Sequence, residues 1–246
     1  MTAVAKNVVQ DLAPTGRLRA SINLGNIVLA QSDAATGSPA GVSVELAKSL
    51  GQRLGVAVDL VTFDAAGKAF DAFKRGETDI VFLAIDPVRA EEVAFTPPYA
   101  LIQGNFVVHA NSSLNGMADI DRPGMRVAVA RGSAYDLFLT RALKSATLIR
   151  SGTGPEALQM FLTDQLEAGG GVKQPVVKFI DEHPGLRLIE QPFMEIRQAM
   201  GMAKGRSAGS AYLHAFIEEM KASGFVADAL RRSGQGDVAV APAATQ

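Results

Sequence analysis

The first third of the chain alternates between two patterns of apolar residues, one typical of strands and one typical of helices. Strand-like runs lie at Arg17–Leu24, Val56–Leu60 and Asp79–Ile85. Between them, helical spacing predicts a helix over about Ser43–Leu54 and a second one around Ala69–Phe73. The order β-α-β-α-β predicts a parallel sheet with right-handed crossovers that is covered by helices on both faces.

The ends of these predicted helices carry recognisable signals. Ser43 can cap the start of the first helix, and Gly55 supplies a left-handed stop. Gly76 ends the second helix in the same way.

The same plan restarts at Met125. Residues 126–149, RVAVARGSAYDLFLTRALKSATLI, predict a strand, a glycine turn, a helix and a strand. A further helix is predicted from about Pro155, and Gly169–Gly171 lies where the first series has its buried strand. Two similar α/β units therefore lie in tandem. The remaining predicted elements are strands at 101–109, 186–189 and 196–203, a helix at 207–221 and a disordered tail from Gly234.

Length and composition exclude several classes of protein. The 246 residues suffice for one to two domains, and 24 Lys plus Arg against 25 Asp plus Glu leave a charge of -1. Without a basic run, nucleic acid is not expected as a partner. The chain has no cysteine, its three histidines are widely separated, and it lacks phosphate-loop glycine motifs. Neither a metal nor a cofactor is predicted.

The chain offers no pattern for membrane insertion. Residues 1–14 are too polar to form a signal-peptide core, so the sequence as given has no export signal. The longest apolar runs, such as Ile80–Ile85, are far shorter than the ~20 residues that span a bilayer. We therefore expect a soluble protein.

Candidate binding residues lie in loops that follow predicted strands. In open parallel sheets, ligands bind beyond the carboxyl ends of the strands. Three such loops are Gly25–Asn26, Ala84–Arg89 and Arg131–Ala134. In the last, small residues at the start of a helix can present backbone amides to an anion, although Gly-Ser-Ala also suits an ordinary N-cap. Two similar lobes that face each other would form a cleft.

Arg89 is the strongest side-chain candidate. It follows Asp86-Pro87, which resembles a capped helical turn directly after a buried strand. A guanidinium there can bind a carboxylate through two parallel hydrogen bonds. The alternative is a surface ion pair with Glu92, three residues further on.

Four stretches together resemble a known family. They are GRLRASINLGN (16–26), GVSVELAKSLGQRLGVAVDLV (41–61), GETDIVFLAIDPVRAEEVAFTPPY (76–99) and RVAVARGSAYDLFLTRAL (126–143). The combination, which covers about residues 15–233, resembles the family 3 periplasmic solute-binding proteins of amino-acid-type ABC transporters. The resemblance implies the type 2 periplasmic-binding-protein fold, an α/β venus flytrap of two doubly wound lobes joined by a two-strand hinge.

The resemblance also implies the domain boundaries. Lobe 1 comprises residues 15–101 plus 198–233, and lobe 2 comprises 104–195. The chain crosses near 101–104 and again near 191–197, and hinge motion closes the lobes over one small ligand. Residues 1–14 form an N-terminal extension, and residues 234–246 form the disordered tail.

Family roles can be placed on matching residues. Arg89 occupies the place of the arginine that clamps a ligand α-carboxylate, and Ala84 that of the first-lobe strand-end contact. The second-lobe cradle falls on Gly132, Ser133 and Ala134. Asn26 and Ala66 stand where the family commonly has an aromatic residue and a tryptophan, which implies weaker stacking on the ligand.

Lys173 marks a further departure from the family. Members that bind amino acids usually hold the ammonium group with an acid after the last lobe-2 strand, whereas Gly171–Pro175 carries Lys173 there. Together with Arg89 and Arg131, this lysine indicates a ligand with two acidic or strongly accepting ends. Gln198 either adds a hydrogen bond or is a solvent-facing strand residue.

The sequence thus predicts a non-catalytic, monomeric protein that binds a small carboxylate or amino acid and serves an ABC permease. An enzyme similar to cyclohexadienyl dehydratase remains an alternative, with Glu167 and Glu195 as the carboxylates nearest the predicted cleft. A stand-alone sensor or scavenger is another alternative. The resemblance implies the periplasm, and the missing export signal leaves the cytoplasm as the other location.

Overall fold

A computed structural model describes residues 4–33 and 35–244. The chain divides into two compact units. Unit 1 comprises Met1–Leu101 and Arg197–Gln246, and unit 2 comprises Ile102–Ile196. Unit 2 is therefore one continuous stretch of chain, whereas unit 1 is made of two.

The first segment of unit 1 runs up to the long strand that leads into unit 2. Its elements are α1 (Lys6–Leu12), β1 (Arg17–Asn23), β2 (Gln31–Ser32), β3 (Pro39–Ala40), α2 (Val42–Leu54), β4 (Ala57–Phe63), α3 (Ala66–Lys74), β5 (Ile80–Ala84), a 3-10 turn (Arg89–Glu91) and the start of β6 (Val93–His109).

Unit 2 and the returning segment supply the remaining elements. Unit 2 holds α4 (Met117–Ile120), β7 (Arg126–Ala130), α5 (Ala134–Ala142), β8 (Thr147–Ser151), α6 (Gly154–Thr163), β9 (Ala168–Val172), α7 (Lys173–Glu182) and β10 (Leu186–Leu188). The chain returns through β11 (Met194–Ala203) to α8 (Ser207–Ala222), α9 (Phe225–Arg232) and β12 (Ala239–Val240) in unit 1.

The sheet of unit 1 has the strand order β4-β1-β5-β11. Strand β1 pairs in parallel with β4, from Arg17 opposite Ala57 to Asn23 opposite Phe63, and it also pairs in parallel with β5. Strand β11 is antiparallel to β5 and places Gln198 opposite Ala84. The predicted parallel sheet is correct for the first three strands, and the returning chain adds an antiparallel fourth.

The sheet of unit 2 repeats this arrangement in the order β8-β7-β9-β6. Strand β7 is parallel to β8 and β9, β6 is antiparallel to β9, and the short β10 pairs antiparallel with β6. Successive residues of β7 pack on opposite faces. Val127 and Val129 contact a core that contains Tyr135 of α5, whereas Ala128 packs with Phe161 of α6. Helices therefore cover both faces of this sheet, as the α/β pattern predicts.

Three predicted helix ends can be compared with the structure. Gly55 and Gly76 adopt φ of 69° and 73°, the left-handed stops expected of them. The prediction that Ser43 caps α2 is wrong, because Gly41 is the N-cap and Ser43 is the second residue of the helix. The Ser43 hydroxyl instead lies 3.2 Å from the Tyr99 hydroxyl. A Cβ at Gly41 would lie 2.6 Å from Leu29 O, so a capping side chain has no room there.

The N-terminal extension packs into unit 1. Within it, α1 buries Leu12 completely, and Asp11 Oδ2 accepts a 2.8 Å hydrogen bond from Gly209 N at the start of α8. A Cβ on Gly209 would lie 2.6 Å from Asp11 Cβ, so glycine permits this close approach of the two helices.

The prediction of a disordered tail from Gly234 is wrong for most of its length. Strand β12 pairs with Ala100 and Leu101 of β6, and Lys221 Nζ donates a 2.8 Å hydrogen bond to Pro242 O. Val238 and Ala241 are buried. Backbone pairing holds this segment, and a hydropathy pattern does not reveal such pairing. Residues 245 and 246 lie outside the described part of the chain.

Helices α7 and α9 lie in segments for which the sequence predicted no element. None of the helices in the described part of the chain combines the length and the apolar character that a membrane crossing needs.

Candidate functional site

The candidate site of unit 1 lies where its parallel strands end. Strands β1, β4 and β5 end at Asn23, Phe63 and Ala84, and parallel strands present their carboxyl ends at one edge of the sheet. The loops that follow these strands carry the residues selected from the sequence.

The loop after β1 is shaped by Gly25 and Asn26. A Cβ on Gly25 would lie 2.1 Å from Asp64 O, so only glycine lets this turn approach the turn that follows β4. Asn26 is buried, its Oδ1 accepts a 3.3 Å hydrogen bond from Val28 N, and its carbonyl accepts one from Leu29 N at 3.0 Å. These contacts give Asn26 a structural role in the loop.

Arg89 is buried, with 1% of its surface exposed. Its Nη1 donates a 3.1 Å hydrogen bond to Ala84 O, the last carbonyl of β5. The predicted alternative, a surface ion pair with Glu92, is wrong because Glu92 is exposed and Arg89 is not. The Asp86-Pro87 turn has the expected form, since Asp86 Oδ1 accepts a 2.9 Å hydrogen bond from Val88 N.

The electrostatic state of Arg89 follows from its burial. Loss of solvation lowers the pKa of the Arg89 guanidinium to about 10, although the charge of the buried Asp86 acts to raise it. The side chain remains a cation at neutral pH, and a second anion near it would offset its desolvation.

Gln198 joins this group. It lies opposite Ala84 in the β5–β11 pair, and 5% of its surface is exposed. The alternative of a solvent-facing strand residue is therefore wrong. Three of the selected residues, Ala84, Arg89 and Gln198, come together at the end of β5.

The corresponding edge of unit 2 begins with the turn after β7. Gly132 has a φ of 69°, and its N–H donates a 2.8 Å hydrogen bond to Asp136 Oδ2. Ser133 is the N-cap of α5, because its Oγ accepts a 3.0 Å hydrogen bond from Asp136 N. The N-cap interpretation of this turn is thus confirmed, and Ala134 is the first residue of the helix.

Asp136 is a further residue of this turn, because its carboxylate accepts the hydrogen bond from Gly132 N. It is not among the residues selected from the sequence. The carboxylate is buried, and its Oδ1 accepts a 2.8 Å hydrogen bond from Arg150 Nε in a salt bridge. An acid three residues after an N-cap serine is a capping-box signal that could have identified it. Beside it, burial raises the pKa of the Tyr135 phenol to about 12, so the phenol stays protonated.

Lys173 begins α7 directly after β9 and is half-buried, whereas Arg131 is exposed in the turn after β7. The structure therefore places both cations at the carboxyl-end edge of the unit 2 sheet. Ala66, where the family commonly has tryptophan, begins α3 in unit 1.

The two carboxylates considered for catalysis, Glu167 and Glu195, lie at different places in the fold. Glu167 precedes β9 and accepts hydrogen bonds from Arg126 N at 2.7 Å and from Arg126 Nη2 at 2.8 Å, at the residue where β7 begins. It therefore lies at the amino-end edge, opposite to the edge predicted. The hydrogen bond from Arg126 holds the pKa of Glu167 below its usual range. Glu195 is exposed on β11.

Comparisons with known proteins address the fold and the family. A family model of bacterial extracellular solute-binding proteins, family 3, matches residues 30–234. An amino acid ABC transporter substrate-binding protein, AbpA from Streptococcus pneumoniae, bound to L-arginine, superposes with a TM-score of 0.79 at 16% identity, covering 94% of this chain and 99% of that one. The ancestral amino acid-binding protein AncCDT-1, a precursor of cyclohexadienyl dehydratase, gives 0.74 at 22% identity, covering 91% and 97%.

One curated relative also matches. It is the membrane-bound lytic murein transglycosylase F of Idiomarina loihiensis, 29% identical over 135 residues. The match includes 52% of this chain and 30% of the relative, so this chain corresponds to less than a third of that protein's length.

The solved structures identify the fold as that of type 2 periplasmic-binding proteins. The family model covers far more than half of the chain and includes Arg89, Ser133 and Lys173. The chain belongs to the bacterial extracellular solute-binding proteins of family 3.

Proposed function

We propose that this protein captures a small carboxylate or amino-acid-like solute for uptake by an ABC transporter and that it performs no chemistry on the solute. Arg89 holds the carboxylate, next to Ala84 and Gln198 at the end of β5. In unit 2, the cradle of Gly132, Ser133 and Ala134 and the Asn26 loop of unit 1 are the other predicted contacts.

The buried guanidinium of Arg89 carries this proposal. Burial lowers its pKa to about 10 in spite of the neighbouring Asp86, so desolvation outweighs that attraction. A ligand carboxylate supplies a further negative charge, and the planar guanidinium matches its geometry. Family membership and the ABC transporter substrate-binding protein among the similar structures support a transport role.

A thermal-denaturation screen tests this function. Protein freed of bound solute by unfolding and refolding is melted with amino acids, monocarboxylates and dicarboxylates. A true ligand at ~100 times its Kd stabilises the native state by about 2.7 kcal/mol. We expect at least one carboxylate to raise the melting temperature accordingly.

Variants of Arg89 connect that stabilisation to the site. Arg89→Ala and the better-packing Arg89→Met should retain a native circular dichroism spectrum and lose the ligand-induced shift. The matched control is Arg75→Met, because Arg75 is an exposed arginine of the same unit, paired with Glu77. A full ligand shift in folded Arg89→Met would refute the proposed role of Arg89.

The position of Glu167 argues against the enzymatic alternative. A dehydratase needs a positioned general acid with a raised pKa, whereas Arg126 lowers the pKa of Glu167. The likeness to AncCDT-1 is a likeness of fold. Prolonged incubation of solute with the protein, followed by nuclear magnetic resonance, should recover the solute unchanged. Appearance of a dehydrated product would favour the enzymatic alternative.

The cellular role follows from the same family. We place the protein outside the cytoplasmic membrane, where it delivers solute to a permease, rather than in the cytoplasm as a sensor. Cell fractionation tests the location, and uptake of radiolabelled solute in cells lacking the gene tests the role. Unchanged uptake would favour the sensor or scavenger alternative.

A further inference from the structure

Two cationic side chains follow neighbouring strands of unit 2. Strand β7 pairs in parallel with β9, with Val127 opposite Ala168 and Ala128 opposite Gly169. Extending this register places Arg131 beside the residue that precedes Lys173, on strands about 4.8 Å apart. The backbones that carry the two charges are therefore neighbours at the carboxyl-end edge.

Two carboxylates at the same edge, Asp136 and Glu156, already have hydrogen-bond partners within unit 2. Asp136 forms its salt bridge with Arg150 and accepts the Gly132 amide. Glu156 Oε2 accepts hydrogen bonds of 3.0 Å from the amides of Gly152 and Thr153, in the capping box of α6. Neither acid is left to bind an ammonium group of a ligand.

Arg131 and Lys173 differ from these acids: within residues 4–33 and 35–244, neither of the two forms a salt bridge with a carboxylate. Both side chains are cations, so this edge carries local positive charge, which favours an anion bound there. An ammonium group placed there would add a third positive charge.

We propose that this edge of unit 2 binds an anionic group and rejects an ammonium group, which favours a dicarboxylate over the corresponding amino acid as solute. This inference rests on the proposed function, in which Arg89 holds one carboxylate. Arg131 and Lys173 are then specificity-determining residues. The inferred ligand differs in charge from the L-arginine bound by the S. pneumoniae protein of the same fold.

Matched ligand pairs test this inference. Titration calorimetry compares succinate with L-aspartate, and glutarate with L-glutamate, because each pair differs only by the α-ammonium group. We expect wild-type protein to bind at least one dicarboxylate about tenfold or more tightly than its amino-acid counterpart.

Charge reversal tests the two cations. Lys173→Glu should weaken dicarboxylate binding by about tenfold or more and narrow or reverse the preference within each pair. An acid at the first residue of α7 suits the helix dipole, so this variant should fold. Arg131→Glu should act in the same direction with a smaller effect, because Arg131 is exposed.

Lys178→Glu is the matched control. Lys178 lies on the same helix α7, its side chain is 69% exposed, and its Nζ lies 4.0 Å from Glu182. The same charge reversal there should change affinity by less than about twofold. An equal effect in both lysine variants would show a general charge effect and overturn the inference.

The outcomes separate this inference from the proposed function. Wild-type protein that prefers the amino acids, with binding abolished by Arg89→Met and unchanged by Lys173→Glu, would overturn the dianion inference and retain the proposed function. Wild-type protein that binds no member of either series overturns the inference, and failure across the wider carboxylate screen overturns the proposed function as well.

Discussion

The two units have similar ion pairs at the amino-end edges of their sheets and different charge arrangements at the carboxyl-end edges. At the amino-end edge of unit 1, Arg19 N, Nε and Nη2 all donate to Asp79, the residue before β5. At the same edge of unit 2, Arg126 N, Nε and Nη2 all donate to Glu167, the residue before β9. The two arginines lie near the amino ends of corresponding strands, Arg19 as the third residue of β1 and Arg126 as the first of β7. They also donate hydrogen bonds to the carbonyls of Gly76 and Gln165.

At the carboxyl-end edges, the charges are arranged differently. Unit 1 has the buried Arg89 beside Asp86, and desolvation dominates the pKa of that guanidinium. Unit 2 has a buried carboxylate, Asp136, that Arg150 pairs directly. The repeated ion pair thus stabilises the fold in each unit, whereas the edges that differ are the places to look for ligand chemistry.

Removing Asp79 should have the largest effect on stability. Asp79 is 2% exposed in its side chain, and Asp79→Ala removes the acceptor of Arg19 N, Nε and Nη2. We expect the free energy of unfolding to fall by about 3 kcal/mol. Urea denaturation followed by circular dichroism measures this change.

The equivalent change in unit 2 should cost less. Glu167 is 30% exposed and Arg126 is 42% exposed, so water compensates part of the loss in Glu167→Ala. We expect about 1 to 2 kcal/mol. Equal costs in the two units would contradict the view that burial separates the two ion pairs.

Glycines in β9 should respond unequally to alanine. Unit 1 fills its third strand, β5, with the side chains IVFLA, whereas β9 reads AGGGV. A Cβ on Gly169 would lie 2.9 Å from Val107 Cγ1, and one on Gly170 would meet its nearest atoms at 3.4 Å. Gly169→Ala should lower the free energy of unfolding by about 1 to 2 kcal/mol, and Gly170→Ala should change it by less than about 1 kcal/mol.

Thermal unfolding of the two glycine variants gives the comparison directly. A larger loss for Gly170→Ala than for Gly169→Ala would show that the packing of Val107 does not exclude a side chain at this strand.

The pH dependence of the Glu167 ion pair gives a smaller effect. Arg126 lowers the folded-state pKa of Glu167 below its ordinary value of 4.5, so the carboxylate stabilises the native state above that value. This contribution should be lost as the pH falls through the lowered pKa. Glu167→Gln should therefore be less stable than wild type at neutral pH, and the difference should shrink in acid.

Unfolding titrations at several pH values between about 7 and 3 measure this difference. A difference between wild type and Glu167→Gln that grows toward acid would contradict the sign worked out here.

The cap of α5 gives the smallest effect. Ser133 caps α5, whereas α7 begins after Val172 without a side-chain cap. Ser133→Ala should lower the free energy of unfolding by about 1 kcal/mol. Ser133→Gly should lower it by only about 0.3 kcal/mol. Ligand titration of the folded Ser133→Ala protein then tests whether the hydroxyl also contacts solute. A lower affinity for solute would indicate such a contact, because loss of the helix cap alone changes only stability.

Much of the fold follows from apolar spacing and glycine. The repeated strand-helix series predicts two α/β units, and glycine at 55 and 76 ends helices as expected. Spacing does not reveal α1 or β12, because their positions depend on tertiary contacts. Asp11 meets Gly209 of α8, and β12 pairs with β6, both distant in sequence.

The candidate site is predictable to a different degree. The position of Arg89 follows from the turn after a buried strand, but a local pattern does not distinguish its burial from a surface pair with Glu92. Glu167 lies at the edge opposite to the predicted one. A residue that directly precedes a parallel strand lies at the amino end of that strand, and the strand position at Gly169–Gly171 already indicates this. The salt bridge between Asp136 and Arg150 joins two elements and has no local signal.

The division of the chain also bears on how the protein folds during synthesis. Unit 2 is one uninterrupted stretch, Ile102–Ile196, whereas the sheet of unit 1 lacks β11 until the ribosome has made residues after 196. The ribosome makes the first segment of unit 1 before unit 2, yet unit 2 has all of its strands first. The first segment of unit 1 therefore has an unpaired edge on β5 while unit 2 can already fold. Its sheet becomes complete only after β11 has been synthesised.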